Sequence, residues 1–198
     1  FDKTSGRLRP LRAHDCALLY RASTGASTYE AALRDVGVEV RRAEGGGFFN
    51  RVEIQDVLAL LRFLAIPADR HALGVVLKSP LFRIPDRDLV GALSKEQSDC
   101  LGALIDRYPR VAVLRKLMTV SGRLSPCQLF WEAQVELNGF EAYKLSFQGV
   151  EGRLAVLNLL KFSEHLLQMQ QAGKSTLITV LQQLELMAAV DETPMAAD

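Results

Sequence analysis

Cysteine and histidine are scarce in this chain of 198 residues, and so is net charge. Cys16, Cys100 and Cys127 are odd in number and far apart, which excludes a disulfide framework and offers no metal-ligand spacing. Three buried thiols in a reducing cytoplasm is the expected reading. His14, His71 and His165 include no pair at ligand spacing, and none has a Ser or Cys beside it that would read as a hydrolase site. Net charge is +1, so the chain as a whole carries no basic signature for nucleic acid, although a local basic patch is compatible with it. No apolar run approaches the roughly 18 residues of a membrane helix. The opening "FDKTSGRLRPLRAHD" lacks the apolar core of a secretory leader. A cytoplasmic chain with no membrane partner is the expectation. What remains is 48% hydrophobic and 24% charged, the composition of an ordinary globular domain.

The pattern along the chain changes once. Residues 15–22, "DCALLYRA", form an apolar run that reads as a buried strand. A helix capped by Ser27 or Thr28 and stopped by Gly37 follows. "VEVRR" then alternates like a half-buried strand. Strand, helix and strand with short links make a parallel βαβ unit, too small to be a domain by itself. After Gly47 the period becomes helical: Val52, Val57, Leu58, Leu61 and Leu64 share a face, and Pro67 ends it. Asp69 and Pro80 bracket a second helix, and Pro85 opens a third. Helical patterns recur over 99–105, 110–118, 125–137, 151–171 and 175–189. In the longest of them Leu154, Leu157, Leu160 and Leu167 mark one apolar stripe. The fold class is therefore mainly α, with a small parallel βαβ fragment at the N-terminal end. The division expected is 1–66, 67–190 and a frayed tail at 191–198.

Three motifs suggest chemistry. "AGKST", residues 172–176, carries the last half of a phosphate-binding loop, but Gln168 stands where the loop needs its first glycine and a helix precedes it. A helix stop at Gly173 and a cap at Ser175 account for it better. "GGGFFN", residues 45–50, links a strand to a helix without the spacing of a dinucleotide loop. Its glycines allow close backbone approach, and Phe48 and Phe49 are either base-stacking platforms or core plugs. "YRAST", residues 20–24, sits at the carboxyl end of the first strand, where α/β sheets bind ligands. The planar fork of Arg21 suits paired phosphate oxygens there.

The order of these motifs resembles the UvrD/Rep-like superfamily-one DNA helicases. "LLYRAST" with "EAALRDVGV" is similar to helicase motif IV, and "GGGFFNRVEIQDVLALLRFL" to the motif after it, with its glycines, aromatic pair and Arg-x-Glu-Ile. "DRHALGVVLKSPLF" and "DRDLVGAL" look closest to the AddA/RecB-type helicase–nuclease branch, and "GRLAVLNLLKF" to the returning helix of the inserted helical domain. The likeness is dense over 15–82 and thin over 91–147.

The resemblance implies a piece of the second RecA-like domain over 1–66, with the inserted helical domain following. It implies that Arg21 acts as an arginine finger on the γ-phosphate and that Tyr20 stacks on adenine. It places Gly46, Gly47, Phe48, Phe49 and Arg51 near single-stranded DNA. ATP and Mg are implied for the full-length enzyme, with none bound to this fragment, which lacks the phosphate-binding loop and the acidic Mg-binding motif and is expected to be inactive alone. The implied partners are DNA, the remaining helicase domains and a nuclease subunit. Some family members hold duplex phosphates with a Gly-Ile-Gly turn. Here "FRIPDRDL" stands there, Pro85 has no amide hydrogen to donate, and Arg83 and Arg87 are left to make such contacts. A helical protein-interaction module without nucleotide chemistry is the alternative, and it requires a large exposed apolar helix face.

Overall fold

The structure, a computed structural model, describes residues 10–19, 26–38, 40, 47–93, 100–173 and 176–192. It divides into two compact units, Gly47–Val190 and Phe1–Gly46 with Asp191–Asp198.

In the smaller unit a 3-10 turn, Ala13–Asp15, precedes helix α1, Ala26–Asp35. Ser27 and Thr28 thus lie in the first turn of α1, not at its cap. Gly37 does stop the helix: its amide donates to the Arg34 carbonyl and the Val38 amide to that of Leu33, which closes the last turn. The βαβ fragment is not seen. Among the described residues no strand forms, and Leu18 and Leu19 stand 57% and 93% exposed. Two parallel strands without further neighbours bury too little to hold together. The remainder of both expected strands lies outside the described residues.

Among the described residues, the elements of the larger unit are all helices. Helix α2, Val52–Ala65, packs on α3, Arg70–Lys78, and α3 on α4, Asp86–Leu93. A short α5, Gly102–Ile105, and a 3-10 turn, Pro109–Val111, lead to α6, Ala112–Ser121, and α7, Pro126–Glu136. Then come α8, Gly139–Phe147, α9, Gly149–Gln171, and α10, Leu177–Glu192. Local chemistry sets several of these ends. The Asp69 carboxylate accepts from the Ala72 amide at 2.9 Å and starts α3. Ser125 and Gln128 form a reciprocal capping box ahead of Pro126, and α7 begins there. Thr176 accepts from the Thr179 amide at 3.3 Å and caps α10; Ser175, the expected cap, lies outside the described residues. Residues 191 and 192 end α10, and the rest of the expected tail is also outside them.

The core gathers around α2 and α9. Ile54, Val57, Leu60, Leu61 and Phe63 of α2 are buried, as are Ala155, Leu159, Phe162 and Leu166 of α9. The leucines expected to mark the packed face of α9 largely do not: Leu157, Leu160 and Leu167 face solvent, and the stripe half a turn away is inside. α8, not foreseen in the sequence, packs along α9 after a tight reversal. Gly152 permits that approach, because a Cβ at this position would run into the Lys144 carbonyl. Among the described residues no helix is long and apolar enough to cross a membrane.

The reversal itself is strained. Gln148 adopts φ 54° and ψ 163°, a region that only glycine enters readily. Gln148→Gly is expected to raise the thermal midpoint by about 2–6 °C, the gain from relieving about 1–2 kcal/mol of backbone strain. A lowered midpoint in a thermal melt would remove the claim of strain.

Candidate functional site

The GGGFFN turn leads into the start of α2, which neighbours the beginning of α9 in the larger unit. Gly47 has φ +103°, a conformation that a side chain would strain, and it turns the chain into the Phe48–Arg51 entry of α2. The Asn50 amide donates back to the Gly47 carbonyl at 3.1 Å, and the Gln55 side chain donates to the Phe49 carbonyl at 2.6 Å. Phe49 is buried. Phe48 is half-buried, edge-on to Phe49 at 5.2 Å between centroids and 5.5 Å from the ring of His165 on α9. The Lys161 ammonium lies 4.9 Å from the centroid of Phe48, within cation–π range. Between this turn and α9 lies a cleft of about 230 Å³, lined by Asn50, Arg51, Glu53, Phe147, Glu151 and Asn158, among others.

Below the cleft, α2 buries two carboxylates, and each has a partner from another helix. Asn158 of α9 donates to Glu53 at 2.6 Å, and the Tyr143 hydroxyl of α8 donates to Asp56 at 3.1 Å. Burial pushes the Asp56 carboxyl up to about 6; the Tyr143 bond opposes that shift and the charge of Glu53 adds to it. Burial, with the Asp56 charge beside it, pushes the Tyr143 hydroxyl well above its ordinary range. Ser79, buried at the end of α3, donates to the Val76 carbonyl at 2.6 Å and accepts from the Leu81 amide at 3.3 Å. It thereby folds the "SPLFRIP" stretch into a fixed turn.

Arg83 stands in that turn at φ +56°, and its guanidinium donates to Ser146 of α8 at 2.8 Å. Arg87 is largely exposed on α4, with its Nε 3.8 Å from Asp88. The Tyr108 hydrogen bond, with Arg107 and Arg87 beside it, holds the Asp88 carboxyl below the usual carboxylate range. Tyr20, Arg21 and Gly46 lie outside the described residues. Arg51 lines the cleft, Gly47, Phe48 and Phe49 form the turn just before it, and Arg83 and Arg87 belong to the α3–α4 turn and α4. Among the described residues no cluster of His, Cys, Asp and Glu would hold a metal ion. Sequence reasoning missed Glu53, Asp56, Tyr143 and Asn158. The signal for the first two was present: acidic residues three apart on the apolar side of α2, beside Ile54 and Val57, demand buried partners.

Comparison with known proteins bears on the same stretch. The family model of the UvrD-like helicase C-terminal domain matches residues 8–109. The chain is 37% identical over 90 residues to the ATP-dependent helicase/nuclease AddA protein of Desulforamulus reducens, covering 45% of this chain and 7% of that protein. Identity to the protein of the same name from Heliobacterium modesticaldum is 31% over 90 residues, 45% of this chain and 6% of that one. For that of Oceanobacillus iheyensis it is 26% over 107 residues, 54% and 9%. The chain therefore matches only a small part of the length of these relatives.

The Asp56 carboxyl gives a pH test. Its folded value, about 6, lies above the ordinary 3.8, so its neutral form is favoured inside. That contribution is complete below about pH 4 and disappears as pH rises through about 6. Asp56→Asn, which keeps an acceptor for Tyr143, is expected to raise the midpoint at pH 8 by about 2–6 °C and to leave it nearly unchanged at pH 4. Equal effects at both pH values in a series of thermal melts would show that Asp56 is not held neutral.

Proposed function

Because the chain belongs to the UvrD-like helicase C-terminal domain family, we propose that it is the motif IV segment and inserted helical domain of an ATP-dependent DNA helicase of helicase–nuclease type, acting in repair or recombination. The observation that carries this reading is the extent of the family match: it spans residues 8–109, from before "YRAST" through "GGGFFN" and the turn after α3 to just beyond α5. In this reading residues 1–66 belong to a second RecA-like domain, whose βαβ fragment completes a sheet with strands of the longer protein. Residues 67–190 form the inserted helical domain.

Arg21 reaches the γ-phosphate of ATP and stabilises the charge of the transition state, and Tyr20 stacks on the adenine. Mg bound with the nucleotide would supply charge neutralisation at the phosphates, and its ligands would belong to other domains of the longer enzyme. Gly46, Gly47, Phe48 and Arg51 border the path of single-stranded DNA; Phe49, being buried, supports Phe48 and does not itself offer a ring face. Arg83 and Arg87 contact phosphate through side chains, since Pro85 has no amide to give. The strand-separating work then draws on the remaining helicase domains, and a nuclease partner cuts the product. A second reading, a helical interaction module, is favoured by one observation, the apolar outer face of α9.

Arg21→Ala in the full-length protein is expected to lower ATP turnover by about 10³-fold while single-stranded DNA affinity stays within a few-fold of wild type. Steady-state ATPase and fluorescence-anisotropy titrations measure the two. Turnover within tenfold of wild type in a folded variant would remove Arg21 from this role.

A further inference from the structure

Helix α9 has two apolar faces, and one of them is about half exposed. Its inner face, with Gly152, Ala155, Leu159, Phe162 and Leu166, is buried in the core. On the other side Val150, Leu157, Leu160 and Leu167 are 51%, 55%, 38% and 46% exposed. Arg153 and Glu164, both exposed, stand in the same row. The six positions 150, 153, 157, 160, 164 and 167 alternate steps of three and four, the seam of a coiled coil, and occupy an arc of about 100° opposite the core.

The charges decide what covers this seam. A parallel, in-register copy would set Arg153 against Arg153 and Glu164 against Glu164. An antiparallel copy, related by a two-fold axis between Leu157 and Leu160, pairs Val150 with Leu167, Arg153 with Glu164 and Leu157 with Leu160. Each pair then occurs twice, every apolar seam residue meets an apolar one, and both charges meet their opposites. Sliding the copy by one heptad sets an arginine or glutamate against a leucine. An isologous interface requires this kind of self-complementarity.

We propose that the outer face of α9 is a self-association surface, on which a second copy of this chain docks antiparallel through Leu157, Leu160 and the reciprocal Arg153–Glu164 pairs. The seam spans about 25 Å of helix and is narrower than a standard interface, so the dimer is weak, with a Kd on the order of tens of micromolar.

Sedimentation equilibrium of the 198-residue chain across about 1–300 μM, a range set by that weak class of interface, tests the proposal. The expected result is a concentration-dependent dimer. Arg153→Glu and Glu164→Arg each place two like-charge pairs in the seam and are expected to raise Kd by about tenfold or more. An equimolar mixture of the two variants restores both opposite pairs, so a heterodimer of near wild-type affinity is expected. That recovery, with unchanged helical circular dichroism, separates loss of docking from loss of fold. A chain that stays monomeric to the top of the range overturns the proposal. So does a dimer indifferent to both substitutions, and so does a mixture that fails to recover.

Discussion

The hydrogen bond from Tyr143 to Asp56 organises the larger unit. It joins residues 87 positions apart in the chain and lies in the interior, where an unpaired partner on either side would cost roughly 1–3 kcal/mol. Its neighbour, the Asn158–Glu53 bond, ties α9 to the same helix one turn earlier. Together the two bonds leave α2 little freedom to rotate or slide against α8 and α9. Apolar packing alone would tolerate such slippage, because leucine and isoleucine contacts are not directional. The polar pairs therefore set register, and the hydrophobic core around them supplies most of the free energy.

Register matters because the cleft lies above those bonds. Glu53 is both a buried partner of Asn158 and a wall of the cleft, so whatever the cleft meets is coupled to the α2–α9 junction. Phe48 is placed by the same logic. It leans on Phe49, which is buried, and on His165 and Lys161 from α9. An aromatic ring held on two sides is a stiff element, suited to present one edge or face at a fixed place. The turn after α3 is held just as firmly, through Ser79 and through Arg83 reaching across to α8.

Short-range chemistry was legible in the sequence. Asp69 and Gly37 act within four residues of themselves, and each sets a helix end where its side chain or its conformation requires. The α2 face was legible too, because apolar residues recur there at helical spacing. The missing βαβ fragment and the unforeseen α8 failed for different reasons. Strands depend on partners distant in sequence, and the described residues supply none. α8 is short, and it is bounded by Gly139 and by the strained Gln148–Gly149 reversal; neither end carries a recognisable side-chain cap. At the candidate site, the glycines and phenylalanines announced themselves. Their supporting groups did not, since Tyr143 and Asn158 are ordinary residues until tertiary structure places them beside α2.

The two faces of α9 show where periodicity stops being informative. Both stripes are apolar and both recur at helical spacing, so the pattern by itself does not single out the buried one. The core took the face with Gly152 and Phe162: the glycine permits the backbone of α8 to come close, and the ring of Phe162 packs against Phe130 of α7. The leucine-rich face, more prominent in the sequence, was left outside. A half-exposed row of leucines at 3-4 spacing costs solubility and contributes less to packing within this unit than the buried face. Such a row beside Arg153 and Glu164, set where opposite charges meet on two-fold pairing, is the pattern of a helix with two partners. One partner is the interior, and the other is met from outside.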